Sequence, residues 1–188
     1  STHITFGVVT GGYVHGDWKI EASGFKGREP DEHRTDIEAP RLDSASARLS
    51  WNPTDRLALQ VSWAQVTSPE QLEPLHDQTR LSASAIYTVR FDEGWWSTTG
   101  AWGRRRLSGE PWLDALTFES ALHFADAWTV FGRAELINTD ELSGSGRIDR
   151  GGKASLGLVY DWPFGDVKLG IGGLYSQNWV SSVLRPSY

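Results

Sequence analysis

The stretch that decides the fold of this chain is Arg80-Leu-Ser-Ala-Ser-Ala-Ile-Tyr-Thr-Val-Arg-Phe91, in which apolar and polar residues alternate. One set of alternate positions is apolar and comprises Leu81, Ala83, Ala85, Tyr87, Val89 and Phe91. The other set is polar apart from Ile86 and comprises Arg80, Ser82, Ser84, Thr88 and Arg90. Successive side chains of a strand point to opposite faces, so the pattern predicts a strand with one apolar and one polar face.

The residues that follow predict a hairpin. Asp92-Glu93-Gly94 is a turn sequence, and Trp95-Trp96 opens a second strand that runs through Trp102 to Arg104-Arg105-Arg106. Aromatic residues therefore lie beside the turn, and charges lie at the far end. A water-soluble sheet also alternates, but strands of bilayer-crossing length with aromatic residues at both ends are typical of transmembrane barrels.

The same alternation recurs along the chain, with no amphipathic helix between the segments. Further strands are predicted at 4–14, 18–26, 42–51, 57–66, 116–124, 128–137, 154–162 and 167–175. Turns are predicted at Asn52-Pro53-Thr54-Asp55, where proline fixes φ, and at Pro163-Phe164-Gly165-Asp166. The segment 181–188 is a poor strand because Pro186 interrupts it. The prediction is an all-β fold of about ten visible strands in an up-and-down antiparallel transmembrane β-barrel, with residues 1–188 as one domain.

The connections between these strands alternate in length. Short ones are predicted at Gly16, Pro53, Glu93, Asp126 and Gly165, and longer polar ones at 27–41, 67–77, 107–112 and 140–152. Membrane barrels have short periplasmic turns and longer outer loops. The aromatic residues beside the short turns are Trp18, Trp51, Phe91, Trp95, Trp96, Phe124, Trp128, Tyr160 and Trp162, and those at the other end are Phe25, Trp63, Trp102, Trp112, Tyr175 and Trp179. We therefore predict two interfacial girdles.

Composition excludes several classes of protein. The chain has 188 residues, 39% hydrophobic residues and a mean hydropathy of -0.40, and it contains no apolar run long enough for a transmembrane helix. Barrel strands are apolar only at alternate positions, and the 10 tryptophans and 20 glycines suit a barrel with girdles. The absence of cysteine excludes disulfides and thiolate metal sites. The net charge of -6 argues against a nucleic-acid partner.

The alternation of connections places the start of the first strand and the end of the tenth on the outer side. Bacterial barrels keep both termini in the periplasm, so we predict a barrel of about twelve strands of which this chain lacks one at each end. Two alternatives stay open. About ten strands close on themselves with both ends outside, or a partner chain covers the edges, because lipid does not tolerate open sheet edges.

Four segments of the chain resemble a group of poorly characterised Gram-negative outer-membrane proteins. They are His3-Ile-Thr-Phe-Gly-Val-Val-Thr10, Gly27-Arg-Glu-Pro-Asp-Glu-His-Arg34, Leu49-Ser-Trp-Asn-Pro53 and Ser68-Pro-Glu-Gln-Leu-Glu-Pro74. The resemblance covers nearly the whole chain. It implies a β-barrel in the bacterial outer membrane that is longer at both ends, and it carries over no catalytic or binding residue.

The face predicted to point inward is charged. Its candidate lumen-lining residues are Lys19, Glu21, Arg48, Arg80, Arg90, Glu119, Arg133, Glu135, Lys153, Asp161 and Lys168. One interpretation is a lumen that selects solutes by charge. The other is that these residues pair across strands and fill a narrow barrel. Pairing is expected in both, since an isolated buried charge costs several kcal/mol.

Other candidate sites are weaker. The arginines of 28–34 and Arg104–Arg106 are candidates for contact with lipopolysaccharide phosphates, with a solvated loop rim as the alternative. The histidines show no HxH, HxxxH or HExxH spacing, and the pair Glu32-His33 with His76-Asp77 is a weak signal, so no metal or cofactor is predicted. No local motif marks a nucleophile, so no enzyme is predicted.

The leading hypothesis is an outer-membrane β-barrel in contact with lipid, serving as a passive channel or a structural barrel. One rival is a soluble lipocalin-like barrel that binds an apolar ligand, in which the apolar face would point inward. Another is an outer-membrane hydrolase or acyltransferase, which would need Ser, His and a carboxylate within hydrogen-bonding reach on the outer rim.

Overall fold

The computed structural model describes residues 7–28, 41–69, 75–140, 148–165 and 167–180. The strands are β1 (Val8–His15), β2 (Trp18–Phe25), β3 (Ser44–Thr54), β4 (Leu57–Val66), β5 (Gln78–Phe91), β6 (Gly94–Leu107), β7 (Leu113–Phe124), β8 (Trp128–Thr139), β9 (Asp149–Phe164) and β10 (Val167–Val180). Within the ranges just given, no helix has the length and apolar character needed to span a bilayer.

The strands form one antiparallel up-and-down sheet in sequence order, from β1 to β10. The predicted all-β, up-and-down arrangement of ten strands is therefore confirmed. Over the described residues the sheet is open, with β1 and β10 as its edges. Residues 4–6 of the predicted first strand and the segment 181–188 lie outside the described residues.

Several predicted boundaries are wrong because strand pairing, not local turn chemistry, fixes them. Pro163 and Phe164, predicted to be turn residues, lie in β9 and pair with Lys168 and Val167. The turn after β3 lies at Asp55 and Arg56, so Asn52 and Pro53 remain in the strand. Proline is tolerated there because the register with β2 ends at the pair Trp18↔Trp51. The β9 strand begins at Asp149, inside a segment predicted to be a loop.

The early start of β9 depends on glycine. Gly151 and Gly152 pair with Val180 and Trp179 of β10. A Cβ on Gly152 would overlap the indole ring of Trp179, which lies across this position. An aromatic ring over a cross-strand glycine compensates for the missing side chain, so a glycine pair that suggests a loop is compatible with a strand.

The described chain divides into two compact units. The first unit holds β1 to β3, most of β4, the start of β5 and the end of β6. Strand pairing in this unit keeps charged and apolar residues on opposite faces of the sheet. Glu21 pairs with Arg48 on one face, and Ile20 pairs with Leu49 on the other.

The second unit holds the rest of β5 and β6 with β7 to β10. It shows the same segregation of faces. Glu119 pairs with Arg133 on what we call the polar face, and Leu122 pairs with Val130 on the apolar face. The apolar and polar positions that alternate in the sequence thus lie on opposite faces of the paired strands.

Burial in this sheet is the reverse of that in a water-soluble protein. The described residues bury only Val66 and Leu113 as hydrophobic side chains, whereas Lys26, Ser44, Gln78 and Asp149 are buried polar ones. On β7 the polar-face residues Glu119 and His123 are less exposed than their apolar neighbours Phe118 and Leu122. On β7 the apolar face is therefore the more exposed of the two faces.

The turn between β7 and β8 carries backbone strain that the short turn after β1 avoids. Ala125 and Asp126 have φ angles of 51° and 54°, in the left-handed region that disfavours residues with a Cβ. Gly16, after β1, has a φ of 54° without that penalty.

We expect the double substitution Ala125→Asn, Asp126→Gly to raise the free energy of unfolding by about 1 kcal/mol, because Asn-Gly is favoured where both central residues have positive φ. Gly16→Ala is the reciprocal control: a Cβ there meets nothing within 4 Å, so only backbone strain changes. It should lower stability by about 1 kcal/mol in the same urea denaturation experiment. A double variant less stable than the parent would contradict the expectation.

Candidate site on the polar face

An arginine held between two carboxylates lies at the centre of the polar face in the second unit. Arg133 Nη1 is 3.2 Å from Glu119 Oε1, and Arg133 Nη2 donates to Glu135 Oε1 at 2.7 Å. Antiparallel pairing of β7 with β8 places Glu119 opposite Arg133, and the strand period places Glu135 two residues further on the same face. The arginine side chain is half exposed, which limits the contribution of these pairs to stability.

A second charged group forms in the first unit by the same rule. Lys19 Nζ lies 2.9 Å from Glu21 Oε1, and Arg48 Nη1 lies 3.9 Å from Glu21 Oε2. Here one carboxylate serves two cations. The structure thus brings together most of the charged residues predicted for this face into two triplets.

The other predicted residues have neighbours of different kinds. Arg80 Nε donates to Gln78 Oε1. Arg90 and Lys168 are exposed. Asp161 pairs in register with Gly170 on the polar face, and Lys153 pairs with Glu135. Whether these residues line a lumen stays a prediction.

Pairs of hydroxyl groups join neighbouring strands. Thr10 and Ser23 lie 2.8 Å apart, and Ser62 and Ser82 lie 2.7 Å apart, in the first unit. In the second unit the pairs are Thr88 with Ser97 at 2.9 Å and Ser155 with Ser176 at 2.7 Å. In each pair either oxygen is able to donate.

The polar face of β6 to β10 also holds a cavity of about 520 Å³. Aromatic and aliphatic surface comes from Trp95, Phe131 and Leu174, and polar groups come from Ser97, Thr99, Glu119, Arg133 and Ser155. All of these residues belong to the second unit. The cavity therefore combines apolar walls with hydroxyls and one ion pair, a composition typical of small-molecule sites.

Trp95 is the cavity residue that sequence reasoning placed wrongly. The girdle prediction includes both Trp95 and Trp96, but consecutive residues of a strand face opposite ways. Trp96 contacts Tyr87 edge-on at a ring distance of 5.6 Å on the apolar face. Trp95 instead stacks on His123 of the polar face at 6.0 Å with a 15° interplanar angle. The period-two pattern of β6 is sufficient to place Trp95 and Trp96 on opposite faces of the sheet.

The girdle prediction needs the same correction at Phe25, which pairs with Ser44 and Val8 on the polar face. Other aromatic residues beside the short turns do cluster on the apolar face. Trp18 stacks on Trp51 at 4.9 Å, and Trp128 lies 4.7 Å from Tyr160.

Phe131, which lines the cavity, lies over a glycine of the neighbouring strand. It pairs with Gly157 of β9, and a Cβ on that glycine would collide with the Phe131 ring. Gly157 is itself buried. The missing side chain thus leaves the space that the Phe131 ring occupies.

The remaining candidate sites are the arginine clusters and the histidines, and the arginines at the end of β6 contact a tryptophan ring. The guanidinium carbons of Arg104 and Arg106 lie 5.4 and 4.7 Å from the centre of the Trp112 ring. Of the arginine cluster 28–34, only Arg28 falls within the described residues. Of the two histidines in the weak metal signal, His76 is described, and His33 lies outside the described residues. Across the part of the chain that the structure describes, no group of three metal-ligating side chains forms. His123 Nδ1 lies 2.9 Å from Thr129 Oγ1, a contact that orients the imidazole.

Comparison of the chain with protein-family models, curated proteins and solved structures found no match.

We expect Gly157→Ala to lower the free energy of unfolding by about 1–3 kcal/mol, because the added methyl displaces the Phe131 ring. Gly173→Ala on β10 is the matched control, since a Cβ there meets nothing within 4 Å. It should change stability by less than about 0.5 kcal/mol. Urea denaturation measures both free energies. In a Phe131→Ala background, Gly157→Ala should no longer lower the free energy of unfolding, because no ring remains to be displaced. Equal effects of the two glycine substitutions would contradict this account.

Proposed function

We propose that this chain is the membrane-spanning β-barrel of a bacterial outer-membrane protein, with the polar face lining a passage for small solutes. The observation that carries the proposal is the inverted burial: many large hydrophobic side chains are exposed, and on most strands the face that holds the charged side chains is the less exposed one. Leu156 is 63% exposed and Ile171 66% exposed, with aliphatic neighbours along the same face. Hydrocarbon is the solvent in which such a surface is stable.

Strand length also supports a membrane location. β5, β6 and β10 have 14 residues each, and β7 and β8 have 12. A tilted strand needs about 9–11 residues to cross the hydrocarbon core. The aromatic pairs Trp18–Trp51 and Trp128–Tyr160 lie beside short turns, where an interfacial girdle belongs.

The same exposure argues against a soluble barrel that holds an apolar ligand. In a lipocalin-like barrel, residues such as Leu122 and Val130 would line the interior, and Arg133 would face bulk water. Both hydrophobic residues are exposed, and the cavity on the other face contains the Glu119–Arg133 pair.

A barrel in lipid requires both edges of the sheet to be covered. Unpaired backbone N–H and C=O groups cost several kcal/mol each in hydrocarbon. Under the proposal, β1 and β10 pair with each other, with further strands of the protein, or with a second copy of the chain.

A passive channel is favoured over a filled, purely structural barrel by the cavity. Oppositely charged side chains pair with one another, as a filled barrel would require, but they leave about 520 Å³ open beside Glu119 and Arg133. A passage lined by paired charges and hydroxyls suits small polar solutes.

The orientation of the faces is testable with single cysteines, since the chain contains none of its own. Fluorophores attached at Leu156→Cys and Phe118→Cys should be quenched by nitroxide-labelled lipids in reconstituted vesicles, because these residues lie on the apolar face. The neighbours Ser155→Cys and Thr117→Cys are matched controls on the opposite face. Their labels should respond to a water-soluble quencher instead.

Quenching by lipid at Ser155→Cys, or a protein that stays monomeric without detergent and does not enter vesicles, would overturn the membrane proposal. Shielding of the Leu156 and Phe118 labels from both quenchers would favour the lipocalin-like alternative.

A channel function predicts ionic conductance in planar bilayers, with a selectivity that depends on Glu119. Glu119→Gln removes one negative charge from the polar face, so chloride permeability relative to potassium should rise. Asp55→Asn removes the same charge from an exposed turn, where the Asp55 side chain is 87% exposed, and should leave selectivity unchanged. A bilayer without single-channel currents would instead support the structural barrel.

A further inference from the structure

We propose that the cavity on the polar face of β6 to β10 is a binding site for a neutral sugar ring, as a free saccharide or one residue of an oligosaccharide. The inference names a class of solute for the proposed passage. It rests on the proposed function only in placing the site inside a passage; binding itself does not depend on it. All lining residues lie in the second unit.

The apolar walls of the cavity suit a sugar because a pyranose presents C–H groups on its faces. Such faces pack on aromatic rings. The Trp95 ring stacks on His123, and the Phe131 ring lies over Gly157. These contacts already restrict both rings in the free protein, which lowers the entropy lost on binding.

The polar groups of the cavity match the mixed donor and acceptor character of sugar hydroxyls. Glu119 accepts and Arg133 donates, while Ser97 and Ser155 do either. Ser97 is paired with Thr88, and Ser155 with Ser176. A hydroxyl has one donor and two acceptor positions, so each retains capacity for a ligand.

The charges around the cavity favour a neutral ligand over an ion. Arg133 is neutralised by Glu119 and Glu135, and Glu135 is paired in register with Lys153. Two positive and two negative formal charges therefore cancel. An anion would meet the two carboxylates, and a cation would meet the guanidinium, whereas a neutral polyol gains hydrogen bonds to charged groups.

Maltose is a suitable probe, and calorimetric titration of the full chain tests the proposal. The detergent must lack a sugar headgroup, as lauryldimethylamine oxide does, because a maltoside would compete. We expect saturable binding with a dissociation constant in the millimolar range. Trp95→Ala should weaken it at least tenfold, and Glu119→Gln should weaken it severalfold.

Two further variants keep the test independent of folding. Trp95→Phe retains an aromatic wall and should bind within a factor of a few of the parent. Trp128→Ala removes an indole from the apolar face, where it lies against Tyr160, and should leave the dissociation constant unchanged. Tighter binding of glucuronate or glucosamine than of maltose would overturn the neutral-ligand assignment.

The absence of saturable binding, or equal weakening by Trp128→Ala and Trp95→Ala, would overturn the site. The cysteine labels separate this outcome from failure of the barrel. Lipid-exposed labels at Leu156 and Phe118 without maltose binding would remove the sugar site alone. Maltose binding with those labels shielded from lipid would remove the barrel alone.

Discussion

Same-face pairing between antiparallel strands is the constraint on which the rest of the structure depends. Each backbone ladder places residues of like character opposite each other, so Glu119 meets Arg133 and Leu122 meets Val130. A slip of one residue would move Glu119 opposite Gly132 or Ala134 and put a carboxylate on the apolar face. The two charged triplets therefore help to specify register, although each pair alone contributes little to stability.

The sequence was sufficient to predict the strands and their faces, because period-two alternation is a local property. Every one of the ten observed strands corresponds to a predicted segment. Boundaries were less accurate where local chemistry and pairing disagree. Pro53 reads as a turn residue, and Gly151-Gly152 reads as a loop, but both positions lie in strands because the neighbouring strand extends past them or supplies a covering ring.

The candidate site was harder to predict, because it is assembled from side chains distant in sequence. Charge on the polar face was visible, but the partners within each triplet depend on the register between strands. The cavity itself was missed. It takes residues from β6 through β10, and its aromatic wall Trp95 is adjacent in sequence to Trp96 of the predicted girdle; only their alternation places them on opposite faces.

The cross-strand hydroxyl pairs determine how the polar face forms hydrogen bonds with water or with a solute. In Thr88–Ser97 and Ser155–Ser176 either oxygen is able to hold the bridging hydrogen. Rotation about two C–O bonds exchanges donor for acceptor while every heavy atom stays in place. Such pairs give the polar face uncharged groups that offer a donor or an acceptor as the contacting molecule requires, independently of ionic strength and of acidity in the physiological range.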